Sequence, residues 1–239
     1  MPHRWCSSAS VRRNQIESGL DITFCEVFMP IFRNKIMAIK PARVLEIGCG
    51  TGHLSKELSK NGIDITAIEP SKGMFEVASE VLSGTNVRLL NCASFDLENT
   101  STFDLAFSHL VAHVVDDISA FFTSIAVHLD NGSYFLFSIP HPCFYNDYKK
   151  FFGDEYHYMK SLMKNVSFSI TKDPETVISD VPYHHRSISI YVNELVSAGF
   201  NIVGFDETFP DKHIQEKYGA AWESPRYCIF ICKKALTRR

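Results

Sequence analysis

Residues 44–53, VLEIGCGTGH, join an apolar segment to three glycines at every second position. Residues 43–47 predict a short buried strand, and residues 53–62 predict a helix that ends at Asn61 and Gly62. Glycines between a strand and a helix let the main chain turn sharply and let a ligand approach it, because no β-carbon stands in the way. The stretch therefore predicts a nucleotide-type ligand at the end of the first strand.

Strands and helices continue to alternate through most of the chain. Further strands are predicted at 63–69, 86–90, 103–110, 133–140, 201–207 and 226–234, and further helices at 74–82, 118–132 and 187–200. Strands that alternate with helices of about ten residues favour an α/β fold, a doubly wound, Rossmann-like and mostly parallel sheet. Ligands of such sheets bind at the carboxyl ends of the strands.

Residues 141–182 interrupt this alternation. Between His141 and Tyr158, seven of eighteen residues are aromatic, against 13% in the whole chain, and their spacing is neither helical nor strand-like. Two interpretations follow. The segment is an inserted aromatic-rich cap over a substrate pocket, or it is a small satellite core built from the same rings.

Composition narrows the class of partner. The net charge is −3 and no basic stripe is present, so neither nucleic acid nor a membrane is expected as a partner. The amino-terminal residues lack the apolar core of a secretory signal, and no run of about 18 apolar residues occurs. We expect a cytoplasmic protein, a monomer or homodimer, that binds a small molecule. No metal site is expected, because no suitably spaced carboxylates accompany His184 and His185.

The spacing of the glycines distinguishes between ligands. Dinucleotide sites have the pattern G-x-G-x-x-G, whereas this chain has Gly48, Gly50 and Gly52, with His at position 53. Glu46 precedes the first glycine by two positions, and Glu69 follows it by 21 positions, where an acid would accept hydrogen bonds from ribose hydroxyls. The combination suits a ligand with a ribose, an adenine and an amino acid but no phosphate, which describes S-adenosylmethionine.

With these motifs, the chain resembles the class I S-adenosylmethionine-dependent methyltransferases, and within them a bacterial small-molecule branch with ubiquinone- and biotin-pathway-like enzymes. The resemblance extends from about Pro41 to Lys234. The matching segments are 44–78, 91–98, 103–117, 137–146, 183–207 and 225–234. It implies a seven-stranded sheet whose last strand is antiparallel. It also implies an amino-terminal helical arm, 1–40, over the cofactor site, followed by a domain, 41–239, that carries the substrate cap at 141–182.

The resemblance also implies roles for individual residues. The glycine loop holds the methionine part of the cofactor through its main chain, Glu69 binds the ribose, and Ala93 and Ser94 lie along the adenine. Family members often have an acid at the position of Ser94, so the contact there is expected through a hydroxyl or the main chain. The predicted cofactor-binding residues are Glu46, Gly48, Gly50, Gly52, Glu69, Pro70, Ala93, Ser94, Ser108 and His109. The product would be S-adenosylhomocysteine.

Methyl transfer from a sulfonium is an in-line displacement that depends on holding the nucleophile about 3 Å from the methyl group in a dry site. A base is needed only if the nucleophile carries a proton. His113, His141 and His185 are the candidate catalytic residues. The candidate substrate-binding residues are Phe144, Tyr145, Tyr183 and Arg186. For His113, capping or packing is an equal alternative, and the segment 183–186 has the alternative of closing the cap by hydrogen bonds to the main chain.

The predicted function is methyl transfer to a small aromatic or heteroaromatic metabolite. One alternative is a non-methylating enzyme that binds the same cofactor and does cyclase or decarboxylase chemistry. A second is an RNA or protein methyltransferase whose basic patch assembles from Lys149, Lys150, Lys160 and Lys164. A third, an NAD-dependent oxidoreductase, is disfavoured by the missing third glycine of the dinucleotide pattern.

Overall fold

The computed structural model describes residues 2–98, 102–219 and 221–236. Residues 1, 99–101, 220 and 237–239, which the predicted ranges 1–40 and 41–239 include, lie outside the described residues. The chain divides into two compact units. The glycine-loop unit comprises Met1–Ala93, Ser167–Val181 and Pro210–Trp222, and the aromatic unit comprises Ser94–Val166, Pro182–Phe209 and Glu223–Arg239.

Eight α-helices occur in the described part of the chain. They are α1 (Ala9–Glu17), α2 (Met29–Ile39), α3 (His53–Ser59), α4 (Lys72–Val81), α5 (Ile118–Ala126), α6 (Tyr145–Lys149), α7 (Ile188–Ser197) and α8 (Lys212–Tyr218). Short 3₁₀ helices occupy Pro2–Ser8 and Gly153–Glu155, and a π-helix, Thr23–Phe28, runs directly into α2. The predicted helical arm is therefore helical over most of its length.

Nine strands are described. They are β1 (Arg43–Ile47), β2 (Asp64–Ile68), β3 (Arg88–Leu90), β4 (Phe103–His109), β5 (Leu129–Pro140), β6 (Leu162–Ile170), β7 (Asp173–His185), β8 (Phe200–Thr208) and β9 (Tyr227–Lys234). Seven form one sheet in the order β3-β2-β1-β4-β5-β9-β8, while β6 and β7 form a separate two-stranded sheet. Strand β9 is antiparallel to both β5 and β8. The predicted doubly wound sheet with an antiparallel last strand is confirmed.

The structure corrects two predicted elements. The helix predicted over 118–132 ends at Ala126, because Leu129 already pairs with Phe103 as the first residue of β5. The insertion, predicted to interrupt the alternation of strands and helices, contains α6, β6 and most of β7, which extends to His185. Its strands alternate poorly between apolar and polar residues, since most side chains of β6 and the first half of β7 are exposed or half-buried.

Each unit has an apolar core around its own strands. In the glycine-loop unit, Val44, Leu45 and Ile65 of β1 and β2 are fully buried. In the aromatic unit, Phe137 stacks on Phe230 with ring centroids 4.9 Å apart. These cores fix the strand ends from which the candidate site residues project.

None of the described helices combines the length and the apolar character that crossing a membrane would require.

Candidate functional site

The glycine loop is a closed turn at the carboxyl ends of β1 and β2. The N–H groups of Gly48 and Cys49 donate to the Ile68 carbonyl at 2.9 and 3.0 Å. Gly52 has a φ of +79°, which L-residues rarely adopt. A β-carbon at this position would lie 3.1 Å from the Leu82 side chain, so the loop packs closely on the segment that follows α4.

Glu69 reaches this loop from the end of β2. Its carboxyl group accepts hydrogen bonds from the Gly50 N–H at 2.9 Å and from the Ser71 N–H at 2.8 Å. Burial raises the pKa of Glu69 to about 7, and the two N–H donors oppose that rise. An acceptor that is held by the loop and is half-ionised at neutral pH is suited to bind hydroxyl groups.

Glu46 has a different environment from Glu69, although both are buried carboxyl groups. Only 2% of Glu46 is exposed, and its carboxyl group accepts a hydrogen bond from the Ser55 hydroxyl of α3. Burial raises the pKa of Glu46 to about 8, so the group is largely protonated at neutral pH. Glu46 therefore joins β1 to the helix after the loop, and its predicted contact with a cofactor remains a prediction.

The remaining predicted residues of this unit lie beside these groups. Pro70 is exposed and follows Glu69 directly, and Ala93 is half-buried. Asn91, which the sequence analysis missed, donates from its amide to the Glu69 carbonyl at 2.7 Å. Because β1, β2 and β3 are parallel, the loop, Glu69 and Asn91 all follow carboxyl ends at the same edge.

A second group of missed residues connects the loop to the amino-terminal arm. The His53 Nδ1 atom lies 2.9 Å from the Thr51 hydroxyl oxygen, and its Nε2 atom lies 3.5 Å from the Glu17 carboxylate. Close packing supports the arm as well, because a β-carbon at Gly73 would lie 2.7 Å from the Cys6 main chain. No spacing rule links residues so far apart in the chain, so pattern analysis does not find them.

In the aromatic unit, the predicted cofactor residues Ser108 and His109 are the last two residues of β4. Ser108 is fully buried, and no described residue bonds its hydroxyl. The Nδ1 atom of His109 lies 2.8 Å from the Ser138 hydroxyl, which also accepts the Leu110 N–H. Leu110 has a φ of +54°, an uncommon conformation for a branched residue. An unpartnered buried hydroxyl beside a strained turn is an arrangement that a polar ligand group would satisfy.

Ser94 is 4% exposed and is held from two sides. Its hydroxyl lies 2.7 Å from the Ser124 hydroxyl of α5, and its carbonyl accepts a hydrogen bond from His128. Neither Ser124 nor His128 was predicted, since only the tertiary structure brings them to Ser94.

His113 is a neutral imidazole at neutral pH. Burial, together with charge interactions with His109, Arg186 and His184, lowers its pKa to about 3. Its Nδ1 atom is buried and has no hydrogen-bond partner among the described residues, while its ring lies 5.4 Å from that of Tyr183. His113 is thus a neutral imidazole, suited to a hydrogen bond and poorly suited to act as a base.

His141 forms hydrogen bonds at the turn that follows β5. Its Nδ1 atom accepts the Cys143 N–H at 3.2 Å, so its Nε2–H donates to the Glu207 carboxylate at 3.1 Å. Burial lowers the pKa of His141, and Glu207 opposes this effect. Both ring nitrogens are therefore engaged.

His185 and Arg186 bond to main-chain carbonyls. The Nε2 atom of His185 lies 2.9 Å from the Tyr158 carbonyl, and burial lowers the pKa of this imidazole. The Arg186 guanidinium is buried and donates to three carbonyls, those of Ala112, Val115 and Asp116, at 2.5 to 3.2 Å. The His185 contact with Tyr158 supports the alternative in which segment 183–186 closes the insertion. For Arg186, the three carbonyl contacts oppose the predicted contact with a substrate.

Several aromatic residues of the insertion form a ring cluster with Tyr183. Tyr145 and Tyr183 are buried and stack with centroids 6.0 Å apart, and Phe151 lies edge-on to Tyr183 at 5.3 Å. Phe144 is half-buried and packs on the His141 ring at 4.7 Å. Tyr145 and Tyr183 thus have the packing expected of a satellite core, while Phe144 retains exposed surface.

Among the described residues, no three or more His, Cys, Asp or Glu side chains cluster in a way that would hold a metal ion.

Comparison with known proteins shows similarity to methyltransferases. Residues 45–137 match a family model described as a methyltransferase domain. A malonyl-[acyl-carrier protein] O-methyltransferase from Ilyobacter polytropus is 29% identical over 178 residues, which cover 71% of this chain and 57% of that relative. The chain covers only 34% to 38% of the other curated relatives that it matches.

Solved structures share the fold. An S-adenosylmethionine-dependent methyltransferase from Listeria monocytogenes superposes with a TM-score of 0.63 at 21% identity, covering 82% of this chain and 92% of that one. A 1,6-didemethyltoxoflavin-N1-methyltransferase from Burkholderia thailandensis superposes with a TM-score of 0.59 at 17% identity, covering 99% and 91%. The fold is that of the Rossmann-like methyltransferases. Residues 45–137 are thus similar to a methyltransferase domain, and the chain shares its fold with S-adenosylmethionine-dependent methyltransferases, as the sequence predicted.

Proposed function

We propose that this protein transfers a methyl group from S-adenosylmethionine to a small molecule. The observation that carries the proposal is the position of Glu69, whose carboxyl group is bound to the Gly50 N–H of the glycine loop. An acceptor fixed beside a glycine turn at the carboxyl edge of a parallel sheet suits a ribose next to a backbone-bound group.

The residues present fit the cofactor. The positive φ of Gly50 and Gly52 leaves the loop main chain open to a ligand, and Glu69 would accept the ribose hydroxyls. The buried Ser108 hydroxyl, which no residue of the described chain bonds, offers a further hydrogen bond. When bound, the cofactor supplies an electrophilic methyl group, and the chain's own task is to orient the two reactants and exclude water. Glu46, Pro70, Ala93, Ser94 and His109 remain proposed cofactor contacts.

We further propose that the acceptor reacts without a strong base. Burial lowers the pKa of His113, His141 and His185. Of these, His113 has an unpartnered nitrogen, so it is the best placed to orient an acceptor by a hydrogen bond. A neutral imidazole of low pKa removes protons poorly, which favours an amine or an already ionised acceptor over a phenol.

The ring cluster supports an aromatic or heteroaromatic acceptor. Phe144 and Phe151 are half-buried, so each keeps ring surface on which a flat molecule would stack, whereas the Arg226 and Lys149 cations lie over the Tyr148 ring. The Burkholderia thailandensis enzyme with this fold was crystallised with 1,6-didemethyltoxoflavin and S-adenosylhomocysteine. Phe144, Tyr145 and Tyr183 remain the proposed substrate-binding residues, with the two buried tyrosines forming the rigid base of the cluster.

A protein-linked acceptor is the second candidate, because one relative is named as acting on malonyl-[acyl-carrier protein]. For an RNA acceptor, by contrast, some of the lysines that would form a basic patch already contact other groups of the chain. The Lys149 ammonium lies over the Tyr148 ring at 4.7 Å, and the Lys164 ammonium donates to the Phe151 carbonyl at 3.2 Å. This use of the lysines favours a small molecule over RNA.

Calorimetric titration tests the proposal. We expect one site for S-adenosylmethionine and none for NAD. In Glu69→Ala, the affinity should fall by about 1 to 3 kcal/mol, because the ribose loses its acceptor. Mass spectrometry of reactions with amine and heteroaromatic acceptors then measures transfer of the methyl group. NAD binding, or an unchanged affinity in Glu69→Ala, would contradict the proposed ligand.

A further inference from the structure

The protons on two hydroxyl groups of the aromatic unit have a defined direction. The Ser124 hydroxyl oxygen lies 2.7 Å from the Phe121 carbonyl oxygen and 2.7 Å from the Ser94 hydroxyl oxygen. A carbonyl only accepts, so the single proton of Ser124 goes to Phe121. The Ser94 hydroxyl must then donate its own proton to Ser124.

This direction leaves Ser94 as an acceptor. A hydroxyl has one proton and two lone pairs, and the proton of Ser94 is already used. No described residue other than Ser124 bonds the Ser94 hydroxyl. Its two lone pairs therefore have the acceptor-only character of a carboxylate, which is the group that the resemblance leads us to expect at this position.

The main chain of Ser94 is fixed separately. His128 is 2% exposed and hydrogen-bonds the Ser94 carbonyl. Its Nδ1 atom is buried without a partner among the described residues, so Nε2–H is the donor. The position of Ser94 and the direction of its proton thus depend on two different residues, and each can be removed without the other.

We propose that Ser124 determines purine specificity by making Ser94 an acceptor for the exocyclic amine of adenine. The inference rests on the proposed function, because it takes an adenosyl cofactor as the ligand. A 6-amino group offers a proton to the Ser94 oxygen. A 6-oxo group presents an acceptor to an oxygen that has no proton to give, which leaves both unpaired.

The test compares two ligands that differ at this one group. We would titrate S-adenosylhomocysteine and S-inosylhomocysteine, its 6-oxo analogue, into the wild type, Ser124→Ala, Ser94→Ala and Thr123→Ala by calorimetry. The wild type should bind the adenosyl compound about tenfold or more tightly than the inosyl compound. Thr123 is exposed on the same helix, so its variant should keep the wild-type ratio.

Ser124→Ala should lower this ratio by about fivefold, chiefly because the inosyl compound binds more tightly. With Ser124 removed, the Ser94 proton is free to turn toward a 6-oxo group. Alanine favours helix, so the variant should fold. Ser94→Ala should lower the ratio by weakening adenosyl binding instead. A role of Ser124 in packing alone would weaken both ligands alike and would not improve binding of either.

The possible outcomes distinguish the role of Ser124 from the binding of the cofactor itself. An unchanged ratio in Ser124→Ala, or an equal loss for both ligands, overturns the role of Ser124 while leaving the cofactor in place. Failure of the wild type to bind S-adenosylhomocysteine overturns the proposed function itself. A ratio that falls in Ser124→Ala through tighter inosyl binding supports the inference.

Discussion

The glycine loop, 48–52, and the segment 141–186 use their polar groups differently. In the loop, main-chain N–H groups bond to an ionisable side chain, Glu69, which keeps lone pairs for a ligand. In segment 141–186 the direction is reversed, because the ionisable side chains of His185 and Arg186 bond to main-chain carbonyls. A charged residue next to a predicted site can therefore have its hydrogen-bonding capacity taken up by the fold, and burial together with a count of donors tells the two cases apart.

The largest effect should come from Arg186→Ala. Removing the guanidinium takes the donor from the buried Ala112 carbonyl and from the partly buried carbonyls of Val115 and Asp116. Each unsatisfied carbonyl is costly, so the free energy of unfolding should fall by about 3 to 5 kcal/mol. Urea denaturation followed by circular dichroism measures the change.

Arg88→Ala is the matched control, because Arg88 is an exposed arginine on β3 and its loss should cost less than about 0.5 kcal/mol. If Arg186→Ala left the stability near that of the wild type but abolished methyl transfer, the sequence-based assignment of Arg186 to the substrate would be right and the comparison between the two regions would fail.

A smaller loss of stability is expected in the glycine loop. Gly52 and Gly62 have similar φ values, +79° and +75°, but only Gly52 has atoms near a potential β-carbon, with Leu82 at 3.1 Å and Ala78 at 3.3 Å. Gly62→Ala should cost about 1 kcal/mol from backbone strain alone. Gly52→Ala adds the close contact and should cost about 2 to 3 kcal/mol.

Thermal and urea unfolding of both variants measure the difference. Equal losses would mean that the structure accommodates the added β-carbon at Gly52 with no further loss of stability. The close packing of the loop would then have no energetic consequence.

The sequence could predict some residues and elements of the structure but not others. The glycines, Glu46 and Glu69 lie in one strand-turn-helix-strand segment, so local spacing was enough to identify them. Ser94, Ser124 and His128 meet only through the packing of α5 and the start of β5, and nothing in their spacing indicates it. The alternation predicted the strands of the large sheet but not β6 and β7, because the mostly exposed side chains of β6 and β7 give no clear period of two.

The histidines show a second limit. Chain position placed His113, His141 and His185 after strands or at the end of the insertion, as the structure has them. It gave no information on their partners, and those partners decide the chemistry. Glu207, which binds His141, lies 66 residues away, and the low pKa of His113 depends on burial that only the folded chain creates.

The smallest expected effect is the pH dependence of ligand affinity at the glycine loop. Burial raises the pKa of Glu69 from its usual 4.5 to about 7. Below that pH the carboxyl group is protonated and loses part of its acceptor capacity, and above it the carboxylate accepts from ribose hydroxyls. The affinity for S-adenosylhomocysteine should therefore rise about three- to tenfold between pH 6 and pH 8, as calorimetry at each pH would measure.

Glu69→Gln, which cannot ionise, should show a flat profile at lower affinity. In the ligand-free protein, the free energy of unfolding changes with pH in the opposite direction to the ligand affinity. A carboxyl group whose pKa is raised on folding stabilises the fold below about pH 4.5, and this contribution is lost as the pH rises toward 7. Stability that falls while affinity rises over the same interval would assign both to Glu69. An affinity that is independent of pH in the wild type would show instead that the carboxyl group does not touch the ligand, and the loop would then bind through its main chain alone.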